Sequence, residues 1–108
     1  MKRKADTMAY EGVDFDVALN AAAGDDLELA NELRAVFVES AARHVDLLHR
    51  ARCDGNWHVA ALRLKGLAAS FNASQLHALA AEALEAVPGE PGVLRRLQKF
   101  LDDFGARD

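Results

Sequence analysis

The sequence predicts an all-α fold, an antiparallel up-down four-helix bundle with a short extra helix on its N-terminal side. Three observations lead to this prediction. The 108 residues are 51% hydrophobic but poor in β-branched residues, a composition that favours helix over sheet. Apolar residues recur at three- and four-residue spacing in successive segments. The connections between these segments are short, so neighbouring helices are expected to run antiparallel within a single domain. We assign residues 13–108 to that domain and residues 1–12, which show no period, to a flexible N-terminus.

The first half of the chain contains one short and one long helical pattern. The short helix is expected over residues 13–23 and is closed by Gly24, and the long helix is expected over residues 25–52. Asp25 is predicted to cap the long helix, and Glu28, three residues later, completes a capping-box-like pair. The apolar stripes are Phe15 and Leu19 in the short helix, and Leu29, Leu33, Phe37, Ala41, Val45 (or His44) and Leu48 in the long one.

The second half contains three more helices, predicted over residues 57–71, 74–87 and 93–104. The turn-forming residues 53–56 (Cys-Asp-Gly-Asn) precede the first of them, and the loop 88–92 (Pro-Gly-Glu-Pro-Gly) precedes the last. Asn72 tolerates the left-handed conformation that closes many helices, and Ser74 is expected to cap the next helix. Gly105 is expected to end the last helix. The apolar stripes are Leu76, Leu79, Ala80, Ala83 and Leu84, and then Leu94, Leu97, Leu101 and Phe104.

Charge and composition argue against several classes of protein. The formal net charge is −4, and an acidic domain repels the phosphate backbone of nucleic acids. The basic start Met1-Lys2-Arg3-Lys4 is not followed by an apolar run, so we do not expect a signal peptide. No apolar run approaches the roughly 20 residues of a membrane span. The single cysteine, Cys53, allows no internal disulfide. We therefore expect a cytoplasmic protein that binds neither nucleic acid nor membrane.

The helix over residues 57–71 has an unusual outward side. At about 100° per residue, its core side comprises Trp57, Ala60, Ala61, Leu64, Leu67, Ala68 and Phe71. Its outward side comprises His58, Val59, Leu62, Lys65, Gly66 and Ala69, with Leu62 at the centre. A glycine inside a helix costs about 0.5–1 kcal/mol relative to alanine, which is reasonable where another molecule must approach closely. Although single exposed leucines are common, this apolar patch favours a surface that a partner covers.

These residues carry a resemblance to a known family. The segment AALRLKGLAASFNASQLHALAAEALE, residues 60–85, resembles the histidine-containing phosphotransfer (HPt) domain, whose pattern runs Ala-His-x-Leu-Lys-Gly, then small residues, then Gly-Ala-x-x-Leu. Upstream, GVDFDVALNAAAGDDLELANELRAVFVES, residues 12–40, is similar to the first helix, Gly-Asp turn and second helix of that family. The resemblance covers roughly residues 12–104 and implies a four-helix bundle.

The resemblance implies a place in two-component phosphorelay signalling. HPt domains exchange a phosphoryl group with an aspartate of a receiver domain, through an exposed histidine assisted by a lysine and a glycine. In this chain the histidine position holds Leu62, the lysine is Lys65 and the glycine is Gly66, while Asn72 replaces a later glycine. Because leucine has no nucleophile, we predict a bacterial pseudo-phosphotransferase. It would dock a response-regulator receiver or a histidine kinase without carrying phosphate, and it would be neither an enzyme nor cofactor-dependent.

Two alternatives remain open. His58 lies one turn, about 5.4 Å, before Leu62 on the same side and is the alternative phosphoacceptor of an active phosphotransfer protein. Alternatively, the Leu62 side is a self-association surface of a structural helical bundle, which would form a homodimer.

The remaining histidines and the cysteine do not suggest a metal or nucleophile site. His44 and His49 are five residues apart on the long helix, which does not place both on one ligand face. His77 lies on the next-to-last helix, outside its leucine stripe. No two histidines have the four-residue spacing of helical metal ligands, and Cys53 falls in the predicted turn after the long helix.

Overall fold

The computed structural model describes residues 15–106, and the regular structure of these residues is entirely helical. The helices are α1 (residues 15–22), α2 (Leu27–Arg50), α3 (Asp54–Ser70), α4 (Ser74–Glu85) and α5 (Pro91–Ala106). The predicted all-α class is therefore confirmed for the described part of the chain. The expected flexible N-terminus, residues 1–12, lies outside the described residues, as do residues 13 and 14 of the predicted first helix.

The long helices enclose one hydrophobic core. Helix α3 packs against α2 and α4, and α5 also packs against α2 and α4. The buried apolar residues of all five helices belong to a single cluster. An exposed ion pair between Arg96 of α5 and Glu82 of α4, at 2.6 Å, links two of these helices at the surface. None of the helices in the described part of the chain combines the length and apolar character needed to cross a membrane.

An aromatic cluster fixes α1 to the rest of the fold. The ring centroid of Phe15 in α1 lies 4.9 Å from that of Phe37 in α2 and 5.0 Å from that of Phe104 in α5. Phe71, just after α3, joins the same cluster at 5.1 Å from Phe37. Such aromatic pairs contribute about 0.5–1.5 kcal/mol beyond the burial of their area. Phe15 and Leu19 are buried, as their spacing predicts.

The start of α2 differs from the prediction. Asp25 adopts a left-handed backbone, with φ of 67°, and cannot be the N-cap, which requires an extended backbone. Asp26 is the N-cap instead, and its Oδ1 accepts a hydrogen bond from the amide of Leu29 at 3.1 Å. The expected capping box with Glu28 is therefore wrong. Leu29, expected in the apolar stripe, is 40% exposed, and Ala30 is the buried residue of this turn.

The boundaries of α3 and α4 differ by a few residues from those expected. Helix α3 begins at Asp54, three residues early, since an acidic residue is stable in the first turn of a helix. Asn72 has φ of 61°, which confirms its left-handed conformation. Ser74 is the first residue of α4 and not its cap. The N-cap is Ala73, whose side chain makes no hydrogen bond.

Helix α5 is longer than predicted at both ends. It begins at Pro91, because proline is stable in the first turn of a helix, where its missing N–H is not needed. The side chain of Glu90 accepts a hydrogen bond from the amide of Val93 at 2.9 Å and so caps the helix. The helix continues to Ala106, so the expected termination at Gly105 is wrong. Helix α4, which precedes the connection to α5, ends at Glu85 rather than at Val87.

Candidate functional site

Packing of one side of α3 determines which side is presented outward. Trp57, which is 2% exposed, donates a hydrogen bond from Nε1 to the carbonyl oxygen of Ala83 at 2.8 Å. This bond ties the first turns of α3 to the last turn of α4. The other buried residues of α3 are Ala60, Ala61, Leu64 and Ala68. Leu67 and Phe71 are partly buried against the same core.

The six residues singled out by the sequence pattern lie on the opposite side of α3. We call them the α3 face: His58, Val59, Leu62, Lys65, Gly66 and Ala69. Leu62 is 47% exposed and Val59 is 45% exposed, and only Lys65 is half-buried. The α3 face thus exposes two large apolar side chains within one helical turn. Exposed apolar side chains grouped in this way are typical of surfaces that bind another molecule.

Gly66 has no structural role within the described part of the chain. A Cβ atom built on Gly66 would have no other heavy atom within 4 Å, apart from its own helix and chain neighbours. No neighbouring side chain or backbone therefore requires a glycine here. The helix nevertheless bears the conformational cost of glycine, about 0.5–1 kcal/mol relative to alanine.

The α3 face combines apolar side chains with one ammonium group and one imidazole. The side chain of Leu62 cannot accept a phosphoryl group. Lys65 lies one turn after Leu62, where its ammonium group supplies a positive charge beside the apolar patch. His58 is exposed one turn before Leu62, on the other side of the patch from Gly66.

A histidine that the sequence pattern did not single out lies where α2 meets α3. His44 of α2 is half-buried, and its Nδ1 atom is buried without a hydrogen-bond partner among the described residues. Burial lowers the pKa of His44 below its usual value, and the positive charges of Arg43 and Arg63 lower it further. Arg43 belongs to α2 and Arg63 to α3.

The structure also reveals a groove between the end of α2 and the start of α3. We call it the arginine groove, and its volume is about 620 Å³. It is lined by Leu47, Arg50, Ala51, Arg52, Asn56, Val59, Ala60 and Arg63. The sequence pattern did not indicate this groove, although the short connection after α2 brings Arg50 and Arg52 close to the first turns of α3. Arg63 lines the same groove as Arg50 and Arg52 only because of how α2 and α3 are aligned along each other.

A second depression lies near the other end of the α3 face. Its volume is about 330 Å³, and its lining includes Ala69 of α3, Asn72 of the connection between α3 and α4, and His77 of α4. The spacing of His77 placed it outside the leucine stripe of its helix. The structure adds that His77 is half-buried and lines the same depression as Ala69 of the α3 face.

No group of three or more histidine, cysteine, aspartate or glutamate side chains within the described part of the chain is arranged to hold a metal ion. Cys53 is exposed in the turn before α3.

Comparison of the chain with family models, with curated proteins and with solved structures finds no match.

Proposed function

We propose that this protein is an HPt-like module that docks a response-regulator receiver or a histidine kinase and does not carry phosphate. The observation that carries the proposal is the α3 face, on which Leu62 is 47% exposed and Gly66 has no neighbour that would exclude a side chain. An exposed leucine and a helix-weakening glycine are both costs to the isolated chain. A partner that covers Leu62 and approaches Gly66 closely offsets both.

The same proposal includes the arrangement of the helices as an antiparallel up-down four-helix bundle. Two observations support it. The pairs α2–α3, α3–α4, α4–α5 and α5–α2 close a ring of neighbours. The connections, residues 51–53, 71–73 and 86–90, are short enough to favour antiparallel neighbours.

Spin-label distances test this arrangement in solution. A Cys53→Ser background removes the native thiol, and labels are introduced in pairs at exposed positions 28 and 102 or 28 and 95. An antiparallel α2–α5 pair places residue 28 nearer to residue 102 than to residue 95. The reverse order of distances would exclude the bundle.

Leu62 favours a lasting contact over a transient exchange. Full burial of a leucine side chain contributes about 1.5–3 kcal/mol, and that contribution does not depend on a phosphorylation cycle. The module would hold its partner in one state or compete with active phosphotransfer proteins for it. Its expected signature is measurable binding without phosphoryl transfer.

The test is a phosphotransfer assay against phosphorylated receivers of the source organism. The native chain is run beside Leu62→His and His58→Ala variants. We expect no label on the native chain and acid-labile label on Leu62→His, because that variant restores a nucleophile on a surface that still docks receivers. Label on the native chain that disappears in His58→Ala would contradict the proposal and assign phosphotransfer to His58.

Self-association is a second candidate, because Val59 and Leu62 expose apolar area within one turn of α3. Sedimentation of the native chain, Leu62→Glu and Leu27→Glu tests it. Leu27 is 72% exposed but lies outside the α3 face, so it is the matched control. A dimer that dissociates only in Leu62→Glu, in a chain that binds no receiver or kinase, would favour this candidate over docking.

A further inference from the structure

We propose that the arginine groove extends the α3 face and receives an acidic patch of the docked partner, with carboxylates arranged around an apolar side chain. This inference rests on the function proposed above. It names the chemistry of the partner's surface.

The lining of the groove combines apolar and cationic side chains. Leu47 of α2, 36% exposed, and Val59 of α3, 45% exposed, are its large apolar side chains. Arg50, Arg52 and Arg63 are its charged side chains, and none of the eight lining residues is acidic. The groove therefore carries three positive charges in a chain whose formal net charge is −4.

Within the described part of the chain, the three guanidinium groups form few hydrogen bonds and only one ion pair, between Arg50 and Asp46. Nη1 of Arg52 donates to the carbonyl oxygen of Arg50 at 3.1 Å, which holds the side chain in place without neutralising its charge. Arg50 pairs with Asp46 at 3.1 Å, but both side chains are well exposed, so the pair is weak. Neither Arg52 nor Arg63 forms an ion pair with a carboxylate in the described part of the chain.

Arginine side chains arranged around apolar atoms suit carboxylates on a protein surface. The planar guanidinium group donates two parallel hydrogen bonds to one carboxylate, and arginine is enriched where proteins bind each other. Nucleic acid is a weaker match, because a polyphosphate follows an extended basic surface and is repelled by an acidic chain. The groove thus matches an acidic protein patch better than a phosphate backbone.

The groove and the α3 face form one continuous surface. Val59 belongs to both, and Arg63 directly follows Leu62 along α3. A single partner that covers Leu62 therefore reaches the groove. Burial lowers the pKa of His44, and the positive charges of Arg43 and Arg63 lower it further, which is consistent with cationic side chains on this side of α3.

The experiment compares the native chain with Arg52→Ala/Arg63→Ala and with the control Arg95→Ala. Arg95 is an exposed arginine of α5 outside the groove. Purified receiver and kinase domains are titrated at about 50 and about 300 mM salt, which changes the screening of exposed charges. We expect the double variant to bind a partner at least about tenfold more weakly at low salt and to lose most of the salt dependence, while Arg95→Ala binds like the native chain. Circular dichroism confirms that each variant is folded.

Three results would overturn the inference. Equal affinity of the native chain and the double variant for the partner would show that the groove is not part of the interface, while the proposed docking function would still stand. Absence of binding by the native chain to every receiver and kinase would overturn both proposals. Tighter binding of a single-stranded DNA oligonucleotide than of any protein partner, lost in the double variant, would assign the groove to nucleic acid.

Discussion

Two residues of the α3 face, Leu62 and Gly66, are unfavourable for the isolated chain in different ways. Leu62 leaves apolar area in water, and Gly66 weakens the helix in which it lies. The space around Gly66 is open, so packing within the described chain does not account for the glycine. Stability and binding are therefore expected to respond in opposite directions to a change at Gly66.

Replacement of Gly66 by alanine should raise the free energy of unfolding by about 0.5–1 kcal/mol, because alanine restricts the unfolded chain and meets no neighbour. The same variant should bind its receiver or kinase partner more weakly, since the new methyl group occupies the contact. Urea denaturation and partner titration measure the two effects. Gly55→Ala, also in α3 with open space around it, is the control and should leave partner affinity unchanged. A stabilised Gly66→Ala variant with native affinity would show that no partner approaches this residue closely.

His44 should make stability depend on pH. Burial, with Arg43 and Arg63, lowers the pKa of His44 in the folded chain below the unfolded value of 6.5. Between these two pKa values the unfolded state binds more protons, so the free energy of unfolding should fall as pH decreases through 6.5 toward the lower pKa of the folded chain. We expect His44→Leu and His44→Gln both to flatten the dependence in urea denaturation. Only His44→Leu should also raise stability at neutral pH, because glutamine retains polar atoms in place of the unpartnered Nδ1. An unchanged slope in both variants would assign the pH dependence to other groups.

At the scale of helices, the sequence pattern located each element but misplaced several ends. A three- and four-residue spacing of apolar residues depends on many residues together, so one residue that departs from it does not change the prediction of a helix. A cap depends on the backbone angles of one residue. Asp25 and Asp26 are the same residue type, and only the left-handed conformation of Asp25 makes Asp26 the cap of α2.

This difference predicts unequal effects of changes at the two aspartates. Asp26→Ala should lower the free energy of unfolding by about 0.5–2 kcal/mol, because the amide of Leu29 loses its acceptor. Asp26→Asn keeps an oxygen at that place and should cost little. Asp25→Gly should not destabilise the chain, because glycine adopts a positive φ readily. Thermal denaturation of the three variants measures this order, and a larger loss at Asp25 than at Asp26 would contradict the assignment of the cap.

At the scale of the whole molecule, Arg34 connects three helices. Its side chain is 11% exposed and pairs with Asp16 of α1 at 3.3 Å. It also donates a hydrogen bond to the carbonyl oxygen of Phe104 in α5 at 3.0 Å. The guanidinium carbon lies 4.5 Å from the centroid of the Phe104 ring, within the range of a cation–π interaction. Arg34 therefore holds the start of α2 to both ends of the described chain.

Replacement of Arg34 by methionine should lower the free energy of unfolding by about 1.5–3 kcal/mol, because charged hydrogen bonds to two other helices are lost. Methionine retains much of the apolar stem, so the loss reports mainly on the guanidinium group. Arg95→Met, at an exposed position, should change stability by less than about 0.5 kcal/mol. Equal losses in the two variants, measured by chemical denaturation, would show that Arg34 does not connect the helices.

The sequence by itself determined the helical class and the two sides of α3. Buried Leu64 and exposed Leu62 are two residues apart, and a 3.6-residue period separates them without reference to any other helix. The resemblance to HPt domains rests on local motifs in the same way, and the phosphorelay function drawn from it stays a proposal.

The tertiary structure alone decided which distant residues share a site. Arg63 joins Arg50 and Arg52 in one groove, and Arg34 reaches Phe104, which is 70 residues away along the chain. Such contacts depend on the register and packing of whole helices, and a change of register would break them without altering any local pattern. Local periodicity therefore predicts the faces of individual helices, whereas the arginine groove arises only from the pairing of α2 with α3.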